Sequence, residues 1–302
     1  MGQKKKKSMV LLLLVFLVLV AAYFILQTWN KNQDKKKEEQ KEAESIYITD
    51  AEDITGIKYN TGSGDMEFKK EEGTWYYTAD KDFPLAQSYP EQMAETFSRL
   101  KAERELEDGD SLADYGLEDP VYTVSVTDAD GTETTLYYGN TAGDNYYVTV
   151  GDAGKVYTVS SNTISDLQYS LEDMAQLDTY PSIGSGNLKK EVITQGGQTT
   201  TYDSENDDDT ENIAAVAGGL GAVTLSEAAD YSVEDKDLAG YGLDENSRTT
   251  VEATYTSDDE EKTLTLYIGG TDGNGSRYVM MNDSRIVYLI SEEVCKNILN
   301  EE

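Results

Sequence analysis

Several small groups of residues have the types and spacing that chemistry can use. Ser98 and Lys101, in "SRLK", match the Ser-x-x-Lys of serine acyl enzymes. In that chemistry the two side chains meet one helical turn apart and the lysine manages the serine proton. Neither companion motif, Ser-Asp-Asn or Lys-Thr-Gly, occurs in the chain, so a solvent-facing serine and lysine on an amphipathic helix is the better reading. In "DGNGSRYVMMND", Asp272, Asn274, Ser276 and Asp283 stand at positions one, three, five and twelve of a calcium loop. Arg277 occupies the place that needs glycine, and aspartate replaces the bidentate glutamate, which argues against calcium. "ENDDDTEN", Glu205 to Asn212, gathers charge without forming a cage and reads as a disordered, solvated loop. The 58 acidic residues make close carboxylate pairs inevitable. Sugar hydrolysis by paired carboxylates, as a surface glycan hydrolase, therefore stays open as an alternative, and any one pair is weak evidence for it.

Composition removes more than it offers. The chain has no histidine, so Ser-His-Asp and Cys-His arrangements and histidine zinc sites cannot be built within it. Its single cysteine, Cys295, has no partner for an internal disulfide and lies on an apolar stripe with Val294, Ile298 and Leu299, as a small buried hydrophobe would. No catalytic, cofactor-binding or metal residue is assigned, no cofactor is expected, and the expectation is a protein that is not an enzyme. A net charge of −33 disfavours nucleic acid and anionic lipid as partners.

The elements that would position any site begin with a hydrophobic run. Lys4 to Lys7 precede an uncharged stretch, Ser8 to Asn30, whose centre from Met9 to Leu26 is almost wholly apolar. Crossing a bilayer as a helix takes about 20 such residues. The expectation is a cytoplasmic tail at 1–7, a transmembrane anchor at 8–28 with the lipid bilayer as its partner, and a charged stalk at 29–45. Bulky residues after Ala21 and Ala22 argue against a cleaved signal peptide. The lysine cluster predicts a single-pass protein of the cell membrane, N-terminus cytoplasmic and C-terminal region extracytoplasmic.

Beyond the stalk the chain repeats itself. "LADYGLEDP", Leu112 to Pro120, returns as "LAGYGLDEN", Leu238 to Asn246. Alternating pairs Ile57/Tyr59, Met66/Phe68 and Trp75/Tyr77 predict three short strands, and Met93, Phe97 and Leu100 predict a helix with Pro90 in its first turn. Asp130-Gly131 predicts a hairpin, and "SNTISDLQYSLEDMAQL" a closing helix capped by Ser161 or Asn162. The second copy keeps this order, with a hairpin at Gly196-Gly197 and a helix interrupted by Gly218, Gly219 and Gly221. The nonapeptide reads as a structural joint, Gly116 turning the chain into the next strand. A substrate-binding role for Tyr115 and Tyr241 is the lesser reading. The fold class expected is α+β: an N-terminal transmembrane helix, then two related units of antiparallel sheet packed with helices, at 46–180 and 186–300.

Trp75 after a polar turn, the following helix, the Tyr-Gly-Leu-Asp/Glu joint, the hairpin ending at Tyr137 to Gly139, and "YYV" before "VYTVS" resemble the DUF4340 family. The resemblance covers roughly Ile46 to Leu171 and more loosely Gly186 to Leu299, where the second copy lacks the tryptophan and the proline. It implies a membrane-anchored bacterial domain of unknown biochemical role, found in some genomes near auxiliary components of ABC-type transport systems. It carries over no catalytic residue. The functional expectation is a membrane-anchored extracytoplasmic accessory or scaffold protein with a membrane or transporter-associated protein partner. The other alternative to it, besides the hydrolase, is a ligand- or cation-binding sensor module.

Overall fold

The computed structural model describes residues 45–301 apart from 63, 107–109 and 152–153, together with helical positions 23, 27, 29, 31, 33 and 35. In chain order these residues form β1 (Ile46–Tyr47), β2 (Gly56–Asn60), β3 (Asp65–Glu71), β4 (Thr74–Tyr77), α1 (Ser88–Ser98), β5 (Lys101–Ala102) and β6 (Arg104–Leu106). Next come β7 (Tyr122–Thr127), β8 (Glu133–Ala142), β9 (Asn145–Val150) and β10 (Val156–Ser160). β11 (Leu188–Gln195), β12 (Gln198–Asp203), α2 (Thr210–Gly221) and β13 (Ala228–Asp230) follow. β14 (Thr249–Ser257), β15 (Glu260–Thr271), β16 (Ser276–Met281), β17 (Val287–Ser291) and α3 (Glu292–Ile298) complete the chain. The fold is α+β, with two large antiparallel sheets. By packing, the described residues divide into two compact units, Met1–Asp65 with Met93–Leu167, and Met66–Gln92 with Gln168–Glu302.

In the first unit the strands run β2-β7-β8-β9-β10-β6. Their register sets Ile57 opposite Val126, Val124 opposite Leu136, and Tyr138 opposite Val148, all buried on one face. Side chains alternate along a strand, so Lys58, Ser125, Thr135 and Tyr137 stand on the other face. The β7–β8 turn forms at the expected residues. Asp128 Oδ1 accepts from the amides of Asp130 at 2.9 Å and Thr132 at 2.8 Å, and Gly131 takes φ 81°.

The strands of the second unit run β12-β11-β14-β15-β16-β17-β13, in which β11-β14-β15-β16-β17-β13 repeats the order of the first. Its core joins Val251, Leu264, Leu266 and Ile290 of the sheet to Ile213, Val216 and Leu220 of α2 and to Cys295 and Ile298 of α3. The glycine interruption expected in α2 has a packing reason. A Cβ on Gly219 would lie 2.5 Å from the Ile298 amide nitrogen and 2.6 Å from the Asn297 carbonyl carbon, so α3 approaches a bare backbone. The β3–β4 hairpin of this unit holds Trp75 buried. The Gln87 side chain accepts from Trp75 N at 2.7 Å and donates to Trp75 O at 3.0 Å.

The joint has one geometry twice. Gly116 and Gly242 take φ 70° and 68°. The amides of Leu117 and Leu243 each donate, at 2.9 Å, to the carbonyls of Leu112 and Leu238. A Cβ on Gly139 would meet Tyr115 O at 2.2 Å, and one on Gly269 would meet Tyr241 O at 2.4 Å. The Tyr115 ring packs tilted against Tyr147, centroids 4.7 Å apart, and the Tyr241 ring packs edge-on against Tyr278 at 5.0 Å. The repeated letters therefore encode a backbone reversal pressed against the next hairpin.

Several expectations are corrected. Among the described residues no helix is long and apolar enough to cross a membrane. α1, α2 and α3 have 11, 12 and 7 residues against the roughly 20 that a crossing takes. Of the expected span at 8–28 only Tyr23 and Gln27 are described, Tyr23 being 63% exposed; the rest lies outside the described residues. The transmembrane helix, single-pass topology, bilayer partner, extracytoplasmic location and membrane-anchored accessory role that rested on it are not carried further. α1 ends at Ser98 rather than running through Leu100. The Leu100 amide instead donates to Thr49 Oγ1 at 2.7 Å as the chain enters β5. The closing helix is two 3-10 turns, Ser161–Gln168 and Glu172–Met174, not an α-helix.

Candidate functional site

The residues singled out for chemistry do not assemble. Ser98 closes α1 and its hydroxyl donates to Glu95 O at 2.9 Å, while Lys101 opens β5, so the two do not face each other across a helical turn. Asp272 caps the β15–β16 turn, its Oδ1 accepting from Asn274 N at 2.9 Å and Ser276 N at 2.8 Å. Those bonds hold its carboxyl below the usual range. Asp283 lies beyond the far end of β16, and no group of three or more metal-type ligands occurs among the described residues. Asp207–Asp209, expected in a disordered loop, forms a turn leading into α2, where acidic side chains suit the positive end of a helix. Cys295 is buried, and that burial pushes its thiol up to about 11.

The described surface carries a cleft in each unit. The first, about 520 Å³, is lined by Lys58, Asn60, Val121, Thr123, Thr135 and Tyr137 among others. Several of its polar groups satisfy one another. Asp65 pairs with Lys58 at 3.3 Å and accepts from Asn60 Nδ2 at 2.7 Å, and Ser125 Oγ lies 2.7 Å from Thr135 Oγ1. The Asn60 bond, then Lys58, keeps the Asp65 carboxyl low. Val121, 49% exposed, stands in this cleft.

The second cleft, about 500 Å³, holds Leu238, Arg248, Tyr267, Met280 and Arg285 with four carboxylates, Asp235, Asp244, Glu245 and Asp283. Met280 is buried with Val233, Leu243 and Val287, and Leu238, Tyr241, Tyr267 and Tyr278 pack on that cluster. Arg285 is committed to Asp235 at 2.8 Å and to the carbonyl of Val233. Asn282, in left-handed backbone at φ 48°, pins the β16–β17 turn by accepting from Thr265 N at 3.0 Å and donating its amide to Thr265 O at 2.8 Å. Hydrogen bonds from the Ser247 side chain and then the Asn246 amide hold the Asp244 carboxyl low.

Arg248 is different. Its guanidinium carbon lies 4.0 Å from the Tyr267 ring centroid, and its side chain has no carboxylate or hydrogen-bond partner among the described residues. The ring holds the guanidinium in place by a cation–π contact and takes up none of its N–H donors.

The two clefts overlap at one place in the repeat and otherwise extend over different elements. Thr123 lies opposite Tyr137 on the adjacent strand, and Thr250 lies opposite Tyr267. Two residues before each threonine comes Val121 in one unit and Arg248 in the other. The same place on the sheet thus carries an exposed valine beside a tyrosine in the first copy and an arginine over a tyrosine ring in the second.

One further group escaped sequence reading. Glu191, on β11, is fully buried, and neither carboxylate oxygen has a hydrogen-bond partner. It sits opposite Tyr202 of β12 and Ala253 of β14. The Tyr180 hydroxyl, also buried without a partner, feels its charge. Burial pushes the Glu191 carboxyl up to about 8. It lines neither cleft.

Fold and clefts together define a duplicated α+β protein with a surface cleft in each unit and a sealed polar group in its second core. Residues 75–215 and 200–301 match the family described as Domain of unknown function (DUF4340), and the chain belongs to that family. Comparisons with curated proteins and with solved structures give no match.

Proposed function

We propose that the protein is a ligand-binding module without catalytic activity of its own, and that the second-unit cleft is its recognition site. The observation that carries this is Arg248, held on Tyr267 yet unpaired in a chain of net charge −33. A half-buried guanidinium among so many carboxylates ordinarily finds one. Holding it in place beforehand lowers the entropy lost when a ligand docks. Duplication supports the same reading, since the clefts of the two copies correspond at Val121 and Tyr137 in one and at Arg248 and Tyr267 in the other, where the side chains have diverged. The paired-carboxylate alternative gains no support, because Glu191, the described carboxylate that burial raises, is sealed in the core.

A saturation-transfer screen of small polar fragments against the full chain and R248A tests the proposal. Hits that weaken at least tenfold in R248A are expected. A screen without hits, or hits indifferent to R248A, would count against it.

A further inference from the structure

We infer that the second-unit cleft takes a small zwitterion, its carboxylate on the free N–H donors of Arg248 and its ammonium group on Glu245 and Asp283. The inference rests on the binding reading above and adds the ligand's chemical class. Of the charged groups lining the cleft, Arg285 and Asp235 neutralise each other, and Asp244 is engaged by its own turn. Three remain uncommitted: Arg248, Glu245 and Asp283.

That remainder selects against ligands of a single charge. A simple anion would find one guanidinium but also two unpaired carboxylates in the same cleft. A simple cation would find the carboxylates but leave the guanidinium without a partner. A molecule with both ends satisfies all three, and a charge-assisted bond at each end is the stronger class of hydrogen bond. Tyr267, Leu238 and Met280 offer a mostly apolar floor for the methylene body between the two ends. The first-unit cleft lacks this constellation, because Val121 stands where Arg248 does and Lys58 is already paired with Asp65.

The experiment is calorimetric titration of the full chain with glycine, β-alanine, 4-aminobutyrate and 6-aminohexanoate, against butyrate and butylammonium as singly charged controls. At least one amino acid of the series should bind tenfold or more tighter than either control, the best chain length reporting the charge separation in the cleft. R248Q should abolish that preference, and R248K, which keeps charge but loses the planar fork, should weaken it. The double variant E245Q/D283N should lose affinity for the amino acid and gain affinity for butyrate. Equal binding of butyrate and the amino acids would overturn the zwitterion while leaving a binding cleft in place. Amino acids that fail to bind, although fragments bind in an Arg248-dependent way, would also overturn the zwitterion alone. Failure of both series would remove the binding reading with it.

Discussion

Replacing Glu191 with glutamine should make the protein more stable, by an amount that grows with pH. In the folded chain the carboxyl is fully buried without a partner, and its pKa rises from 4.5 to about 8. The raised value sets the sign: stability from this group is complete below pH 4.5 and is lost progressively as pH rises towards 8. Each unit of that interval is worth about 1.4 kcal/mol, so the accumulated penalty is about 3 kcal/mol at pH 7 and close to zero at pH 4. Glutamine cannot ionise, and its own unpaired amide costs about the same at every pH. The stability difference between E191Q and the parent should therefore grow by about 3 kcal/mol from pH 4 to pH 7. Urea unfolding followed by tryptophan fluorescence suits the measurement, because Trp75 is buried in the second unit whereas Trp29 is 59% exposed. Comparing the two proteins at each pH cancels titration of the many other carboxylates. A difference that stays flat across this range would refute the reasoning, since Glu191 would then be paired or hydrated when folded.

Other substitutions test the packing. G269A, whose Cβ would lie 2.4 Å from Tyr241 O, should lower stability by about 1–3 kcal/mol, while G240A, with open space around it, should change it by under about 0.5 kcal/mol; thermal melts separate them. On α2, G218A should raise the melting temperature, because the site is open and alanine favours helix by up to about 1 kcal/mol, whereas G219A should lower it by forcing α3 away. Cys295, its thiol pushed up to about 11, should resist an aromatic disulfide reagent at pH 8 in the native protein and react fully once the chain is unfolded in urea.

Much of the sheet was legible because its cause is local. The alternation of Ile57 with Tyr59 and of Val124 with Val126 marks a buried face, and Asp130-Gly131 marks a turn that few other residues make. The repeated nonapeptide announced a joint because Gly116 and Gly242 require positive φ. The helix ends were less legible. Leu100 fits a helical stripe, yet α1 stops at Ser98 and the Leu100 amide bonds Thr49 Oγ1 just before β5. Gly219 reads as a helix defect until α3 is placed against it. The hydrophobic N-terminal run shows another limit: a long apolar stretch suggests a membrane crossing by itself, and no described helix provides one. The candidate site was the least legible part. Arg248 and Tyr267 are 19 positions apart and meet only through the register of β14 and β15. Glu191 stands between two lysines and a valine, where nothing local says which face of β11 turns inward.

Mapping a bound fragment by two-dimensional nuclear magnetic resonance on the full chain tests the central claim most directly. With the best fragment from the screen, the account predicts the largest shifts at the Arg248 side-chain Nε–H and at the amides of Tyr267, Met280 and Asn282, with those around Tyr137 unmoved. Shifts centred on Tyr137, scattered over both sheets, or absent at Arg248 would contradict it.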